Sequence, residues 1–298
     1  MCNYALLIIN MASLKEIKSR IQSVKSTQKI TSAMKMVSSA KLRKAQKTIE
    51  NFFPYEQRLN GLLSTFLSSE EDNSSVFAEV REVKRVAIVV FSSNSSLCGG
   101  FNSNVAKVLS QTVEKYATLG REHILIFPVG KKVAKACVKL GFQPEANFDA
   151  MADKPSYAAT VDFADELMEL FRNKDVDKIE LIYHHFVSKS TQKLVEETFL
   201  PIQLTKSTNG GVALDYIVEP DRATLMDELI PMVLRLKIYT ALLDSNASEH
   251  AARTIAMQMA TDNATDLLQD LSLQYNKSRQ QAITNELLDI VGGSFGRT

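Results

Sequence analysis

The chain begins and ends with helical segments too long to fold inside the part that lies between them. Residues 13–67 carry Leu14, Ile17, Ile21, Val24, Gln28, Thr31, Leu42, Ala45, Ile49, Phe52, Leu59, Leu63 and Phe66. That 3-4 spacing is the seam of a coiled coil. Residues 220–298 keep the spacing longer. It runs from Leu225, Leu229, Met232 and Leu236 through Ala247, His250, Thr254, Met257, Thr261 and Ala264 to Leu268, Leu271, Tyr275, Ser278 and Ala282. A 4-4 step from Leu243 to Ala247 is a stutter that locally unwinds a supercoil. At 1.5 Å per residue the two segments are rods of roughly 80 and 110 Å, against a globule only about 35–40 Å across. The rods are therefore expected to project and to lie side by side, antiparallel. Pro54 and Pro231 are the expected bending points. The middle of each seam is small or polar, so it buries little apolar area at roughly 25 cal/mol per Å². The pair is expected to be held loosely there or to be surrounded by something else.

Between the rods the periodicity changes. Residues 84–91, 123–129 and 178–187 read as strands, and 194–199 is a candidate partner for the last of them. Residues 104–119, 131–140 and 156–172 read as helices. Strands alternating with helices argue for a parallel or mixed sheet. The expected fold class is α/β, a long antiparallel coiled coil of N- and C-terminal helices flanking a Rossmann-like α/β domain. The expected division is an N-terminal extension at 1–12, a coiled-coil helix at 13–67, a linker at 68–83, the α/β domain at 84–219 and a coiled-coil helix at 220–298. Residues 206–211 read as a second linker.

Composition removes several functions. The 35 basic and 34 acidic side chains nearly cancel, so no global charge points to nucleic acid or membrane. No apolar run approaches the roughly 18 residues of a membrane span. Three cysteines are too few for a disulfide framework and fit a reducing compartment. The first ten residues lack the basic start of a signal peptide. They also lack the Arg and Ser of a mitochondrial transit segment, and Met11 reads as a second possible start.

The individual motifs are weak as chemistry. Residues 95–102 (Ser-Ser-Leu-Cys-Gly-Gly-Phe-Asn) follow a strand and precede a helix, the position of a Gly-rich phosphate loop. The glycine pattern of such loops is missing, which favours a tight turn. Cys98 has no His nearby in sequence and reads as a buried thiol rather than a nucleophile. His184 and His185 alternate across a strand and do not make a metal site. The first rod carries ten Lys and Arg between Lys15 and Lys47 against Glu16. That run fits a solvated face, an acidic protein partner or nucleic acid, although no aromatic interleaves it before Phe52 to stack bases. No catalytic triad, carboxylate pair, metal cluster or cofactor motif stands out.

Five stretches together resemble one family. They are residues 15–21 (Lys-Glu-Ile-Lys-Ser-Arg-Ile), 26–37 (from Ser26-Thr27-Gln28-Lys29 to Lys35-Met36-Val37), 97–102 (Leu-Cys-Gly-Gly-Phe-Asn), 248–253 (Ser-Glu-His-Ala-Ala-Arg) and 275–293 (from Tyr275-Asn276-Lys277-Ser278-Arg279-Gln280 to Val291-Gly292-Gly293). This set resembles the gamma subunits of F-type ATP synthases, and the resemblance spans about Met11 to the end. The closing stretch is specific, because its polar residues have no reason to recur in that order in an unrelated coiled coil.

The resemblance implies a rotor, not an enzyme, and no cofactor. Its coiled coil would stand in an alpha3-beta3 ring. Its α/β part, with an epsilon subunit, would seat on a membrane c ring whose proton flow turns the shaft. The location implied is the cytoplasmic side of a bacterial inner membrane, peripheral, with no direct membrane span and no nucleic acid partner. Lys29, Met34 and Lys35 match the family's segment near the lever loops of beta. Arg279, Gln280, Thr284 and Glu286 match its segment near the catch loop, where the planar fork of Arg279 suits a carboxylate. The chain departs from the family at Ser93-Asn94-Ser95-Ser96, where Ser-Asp-Arg-Gly is common. The cysteine-bearing insertion of chloroplast relatives has no counterpart, so a dithiol reductant is expected to leave ATPase turnover unchanged; a change traced to Cys98 or Cys137 would contradict this.

Overall fold

The structure, a computed structural model, describes residues 2–68, 75–202 and 221–295. Residues 69–74 of the first predicted linker and all of the second therefore lie outside the described residues. The elements run α1 (Cys2–Ser68), β1 (Val86–Phe91), α2 (Phe101–Lys115), β2 (Ile124–Val129), α3 (Lys131–Lys139), α4 (Asp149–Asp153), α5 (Tyr157–Arg172), β3 (Lys178–Phe186), β4 (Gln192–Leu200) and α6 (Arg222–Phe295). Both long helices run unbroken through their prolines, Pro54 and Pro231. α1 begins at Cys2, so residues 2–12 continue the helix expected to start at Ser13. The short α4 had no periodic signal, being only five residues long.

The four strands form one mixed sheet of order β2-β1-β3-β4. β1 pairs in parallel with β2 and β3, and β4 returns antiparallel to β3. The buried run Val86–Phe91 sends alternate side chains to opposite faces, as pleating requires. Val86, Ile88 and Val90 pack with Val105, Leu109, Val133 and Cys137 of α2 and α3. Ala87, Val89 and Phe91 face Phe163, Leu167 and Phe171 of α5, together with α6 residues Leu234, Leu236, Ile238 and Leu242. The sheet is thus buried on both sides. At the strand ends an added Cβ on Gly130, whose φ is +110°, would sit 2.5 Å from the Ser92 carbonyl oxygen. Only glycine allows that approach.

Contacts divide the chain into two compact units, one of residues 1–37 with 254–298 and one of residues 38–253. In the second unit the sheet carries α6 along most of one face. α6 is buried almost all round from Leu229 to Arg253. Leu42 and Ala45 of α1 meet Ala247 and Ala251 of α6, and Phe52 meets Tyr239 edge-on at 5.1 Å. The partner numbers fall as the α1 numbers rise, so the helices are antiparallel. Within the first unit, Gln28 donates to the Thr265 hydroxyl at 2.8 Å, and the hydroxyls of Thr31 and Thr261 are 2.8 Å apart. The polar seam of the sequence is thus a short ladder of hydrogen bonds. Ala264 and Leu271 supply its apolar part.

Two histidines are buried in the second unit, His184 stacked on Phe101 and His250 in the α6 seam. Burial lowers both from the ordinary value of 6.5 to about 4. A lowered histidine favours the folded state above pH 6.5, and that stability is lost as pH falls toward about 4. Each histidine costs up to about 3 kcal/mol across this window. Glu56, Asp244 and Glu249 are raised by burial and pull the opposite way. His184→Leu is therefore expected to flatten the acid limb of a thermal-melt profile by about one proton; an unchanged slope between pH 6.5 and 4 would contradict it.

Candidate functional site

The seven residues singled out in the sequence all lie in the unit of residues 1–37 and 254–298, on its two helices. Lys29 is exposed on α1, and Met34 and Lys35 are half-buried. Arg279, Gln280, Thr284 and Glu286 are exposed on α6, where the Thr284 hydroxyl donates to the Gln280 carbonyl at 2.9 Å. The structure does not gather them into one patch. Thr261 faces Thr31, and the step from Thr261 to Arg279 is about 18 residues, or about 27 Å along the helix. They form two separate patches.

What surrounds these patches was missed in the sequence. Ile30, Met36 (66% exposed) and Val37 on α1, with Met259 and Leu273 (69%) on α6, point away from the seam. So do Ile283, Leu287, Leu288, Ile290 (70%) and Val291 near the end of α6. Single exposed apolar side chains are ordinary, but a run of five in nine residues is not. The available signal was apolar residues falling off the seam: a Tyr275, Ser278, Ala282 seam continues to Asn285 and Asp289, leaving Ile283, Leu287 and Ile290 on another face. Basic side chains Lys15, Lys18, Arg20, Lys25 and Lys29 are also exposed on α1. The arrangement is a slim helix pair with an unused apolar surface and a cationic flank, suited to being enclosed by another protein with acidic groups.

The α/β part holds titratable clusters that are internally matched. Glu180 is buried and accepts from Lys178, Tyr116 and Lys115. Burial pushes its carboxyl up, but the hydrogen bonds from Lys178 and Tyr116 outweigh this and hold it low. Asp244 meets His185, and Lys237 meets Glu197 at 3.0 Å. Cys98 is buried beside Asn102, and burial pushes the Cys137 thiol up to about 11. Residues 93–102 form the tight turn expected. Leu97 and Gly99 adopt positive φ, and Asn102 accepts from the Ser93 backbone while donating to the Ser93 hydroxyl. Among the described residues no group of His, Cys, Asp and Glu is placed to hold a metal ion, and no helix is long and apolar enough to cross a membrane.

A family profile described as ATP synthase matches residues 13–295. The ATP synthase gamma chain of Phocaeicola vulgatus is 61% identical over 288 residues, covering 96% of this chain and all of that one. The chain belongs to the ATP synthase gamma-chain family. The gamma chain of Parabacteroides distasonis is 50% identical over 284 residues, covering 95% of this chain and 99% of that one. Its fold matches a chain in the OSCP/F1/c-ring structure of the Euglena gracilis mitochondrial ATP synthase, with TM-score 0.68, 21% identity and coverage of 96% and 94%. A chain of the rotor of the same enzyme matches at TM-score 0.64 and 20% identity, covering 91% and 99%. Rod, α/β sheet and rod is thus a gamma-chain fold shared with F1 central stalks.

If the off-seam residues serve an external surface, their loss and that of the seam separate cleanly. Leu271→Ala, in the seam, is expected to cost about 2–4 kcal/mol of stability in the free chain. Leu287→Ser with Ile290→Ser is expected to change it by less than about 0.5 kcal/mol yet weaken the chain's incorporation into the ATP synthase complex. Urea melts and co-purification measure the two effects; a large stability loss in the second variant would contradict the surface assignment.

Proposed function

We propose that this gamma-chain family member is the non-catalytic rotor shaft of an F1 motor. The segments at 13–67 and 220–298, which contain most of α1 and all of α6, act as the shaft inside an alpha3-beta3 ring. The α/β part at 84–219, with an epsilon subunit, seats on the membrane c ring. Proton flow turns the c ring, and the shaft passes the rotation to the beta subunits, where ATP is made or hydrolysed. The protein sits peripherally on the cytoplasmic side of a bacterial inner membrane.

The observation that carries this reading is the exposed apolar surface of the helix pair, from Ile283 to Val291 and around Met36. A rotor needs a surface that slides in a sleeve while gripping lightly. Exposed apolar side chains on a helix pair that also exposes lysines fit that demand better than a continuous knobs-into-holes interface. Lys29, Met34 and Lys35 take the lever-loop contacts with beta, and Arg279, Gln280, Thr284 and Glu286 take the catch-loop contacts. The step of about 27 Å between these groups is why the reading assigns them to two different loops rather than one. The α/β domain supports the non-catalytic assignment through its chemistry: the buried carboxylate of Glu180 is matched by Lys178 and Tyr116, that of Asp244 by His185, and Cys98 and Cys137 are buried.

Reconstitution with cognate alpha and beta subunits is the test. The chain is expected to enter at one copy per three beta and to raise ATP turnover. Failure to assemble, with folded alpha and beta present, would overturn the reading. Arg279→Ala with Gln280→Ala is expected to lower proton-driven ATP synthesis several-fold without loss of assembly. Normal synthesis by that double variant would remove the catch-loop assignment while leaving the shaft in place.

A further inference from the structure

The strand order 2-1-3 reverses direction between β1 and β3, and open α/β sheets take their ligands at that point, outside the carboxyl ends of the strands. Here the crevice is filled by the chain's own helix. Residues Ser245 to Arg253 of α6 cross it, and a different residue fastens each rim. Asn246 Nδ2 donates to the Ala152 carbonyl of α4 at 3.0 Å. The Ser248 hydroxyl donates to the His184 carbonyl at the end of β3 at 3.2 Å. Arg253 Nη2 donates to the Ser95 hydroxyl at 2.8 Å and reaches the Ser95 and Ser96 carbonyls at 3.5 Å. Its Nη1 is held by Glu249 one turn back. Both members of this ion pair have side chains only 9% exposed. The gap left among Phe91, Ser92, Val129, Ala152, Leu242 and Asn246 is too small to admit a water molecule.

We propose that Glu249 and Arg253 are positioning residues that clamp α6 into the crevice of the α/β domain, so that seating the helix and ordering the β1–α2 turn are one step. The physical reason is the burial of a full positive charge at the turn. Without Arg253 the Ser95 hydroxyl and the Ser96 carbonyl lose the guanidinium, although the Ser95 carbonyl keeps the Ser93 hydroxyl at 2.7 Å, and Glu249 is left as a buried unpaired carboxylate, the costliest outcome for an ion pair in a protein interior. Without an ordered turn, Arg253 has only Glu249 to satisfy five donors. Each side therefore needs the other. The turn is also the place where this chain departs from its family resemblance. Ser95 stands where Arg is common, which leaves room for a guanidinium entering from α6. Rotation carried by α6 would then reach the α/β domain through a fixed polar joint as well as through apolar packing. That consequence rests on the rotor reading; the clamp itself does not.

Hydrogen exchange read by mass spectrometry on the full-length chain tests the clamp. Arg253→Met is expected to speed exchange at least tenfold both in residues 93–104 and in residues 241–253, with β2 unchanged. Ser95→Ala, which keeps the Glu249–Arg253 pair, is expected to give a several-fold rise in the same two segments, and it decides the matter if Arg253→Met fails to fold. Gln28→Ala, in the other unit, should leave both segments unchanged. A rise confined to α6, or no rise in the turn, overturns the proposal. In the reconstituted complex Ser95→Ala is expected to lower proton pumping per ATP hydrolysed by at least twofold while assembly holds. An unchanged ratio overturns the positioning role. Failure of the wild-type chain to assemble would instead count against the rotor reading, and the exchange result would stand.

Discussion

Everything in residues 38–253 depends on one helix being buried from two sides. Between Leu229 and Arg253, α6 packs against α1 and against the sheet at once. An amphipathic helix with a single apolar stripe could not do this, and the sequence answers with residues that are small, apolar or paired on nearly every face. Ala241, Ala247 and Ala251 let backbones approach. Asp244, Glu249 and Arg253 are buried but matched, to His185 and to each other. Arg235 adds a two-pronged contact with Asp165 of α5 at 2.7 and 3.1 Å. Such forked pairs fix orientation as well as distance. Torque applied to this helix has no face on which to slip.

The two ends of α6 therefore obey different physics. Inside the α/β domain it is a core element, buried on nearly every side. Beyond Thr254 it is half of a helix pair whose seam is partly hydroxyl and amide. Hydrogen bonds between Thr31 and Thr261 and between Gln28 and Thr265 stabilise modestly, on the order of 1 kcal/mol each. The thin cross-section they permit is a functional property if the pair works inside a closed ring. A leucine-filled seam would be tighter and wider.

The architecture was legible because its signals are periodic. Leu229, Leu236, Leu243, Ala247 and Met257 stand where the 3-4 spacing put them, and Leu194 to Phe199 does pair with β3. The seam position Met232 is the exception; it is exposed and receives the Tyr55 hydroxyl at its sulfur instead. The tight turn at residues 93–102 followed from the absence of a phosphate-loop glycine pattern. What stayed hidden was long-range and polar. Nothing in Ser248-Glu249-His250-Ala251-Ala252-Arg253 announces that Arg253 ends beside Ser95, because the two are far apart in sequence and neither falls on an apolar stripe. Likewise α6 read as a free rod, since a helix that is buried all round by small and paired residues shows no sharp amphipathic face. The seven candidate residues came through motif resemblance alone; Lys29, Arg279, Gln280, Thr284 and Glu286 are exposed, and surface positions carry no packing signature.

The hydroxyl ladder also sets a counting rule for the helix pair. Apolar knobs tolerate a shift of one heptad, because one leucine can replace another in a hole. Thr31 opposite Thr261 and Gln28 opposite Thr265 cannot be exchanged so freely, since a slipped Gln28 would lose its acceptor inside the seam. The pair is antiparallel, so residues removed from α1 on one side of the ladder must be removed from α6 on the same side. Lengthening or shortening the shaft is thus possible only in matched steps on both helices, and the register of the two chain ends is written in three threonines and a glutamine.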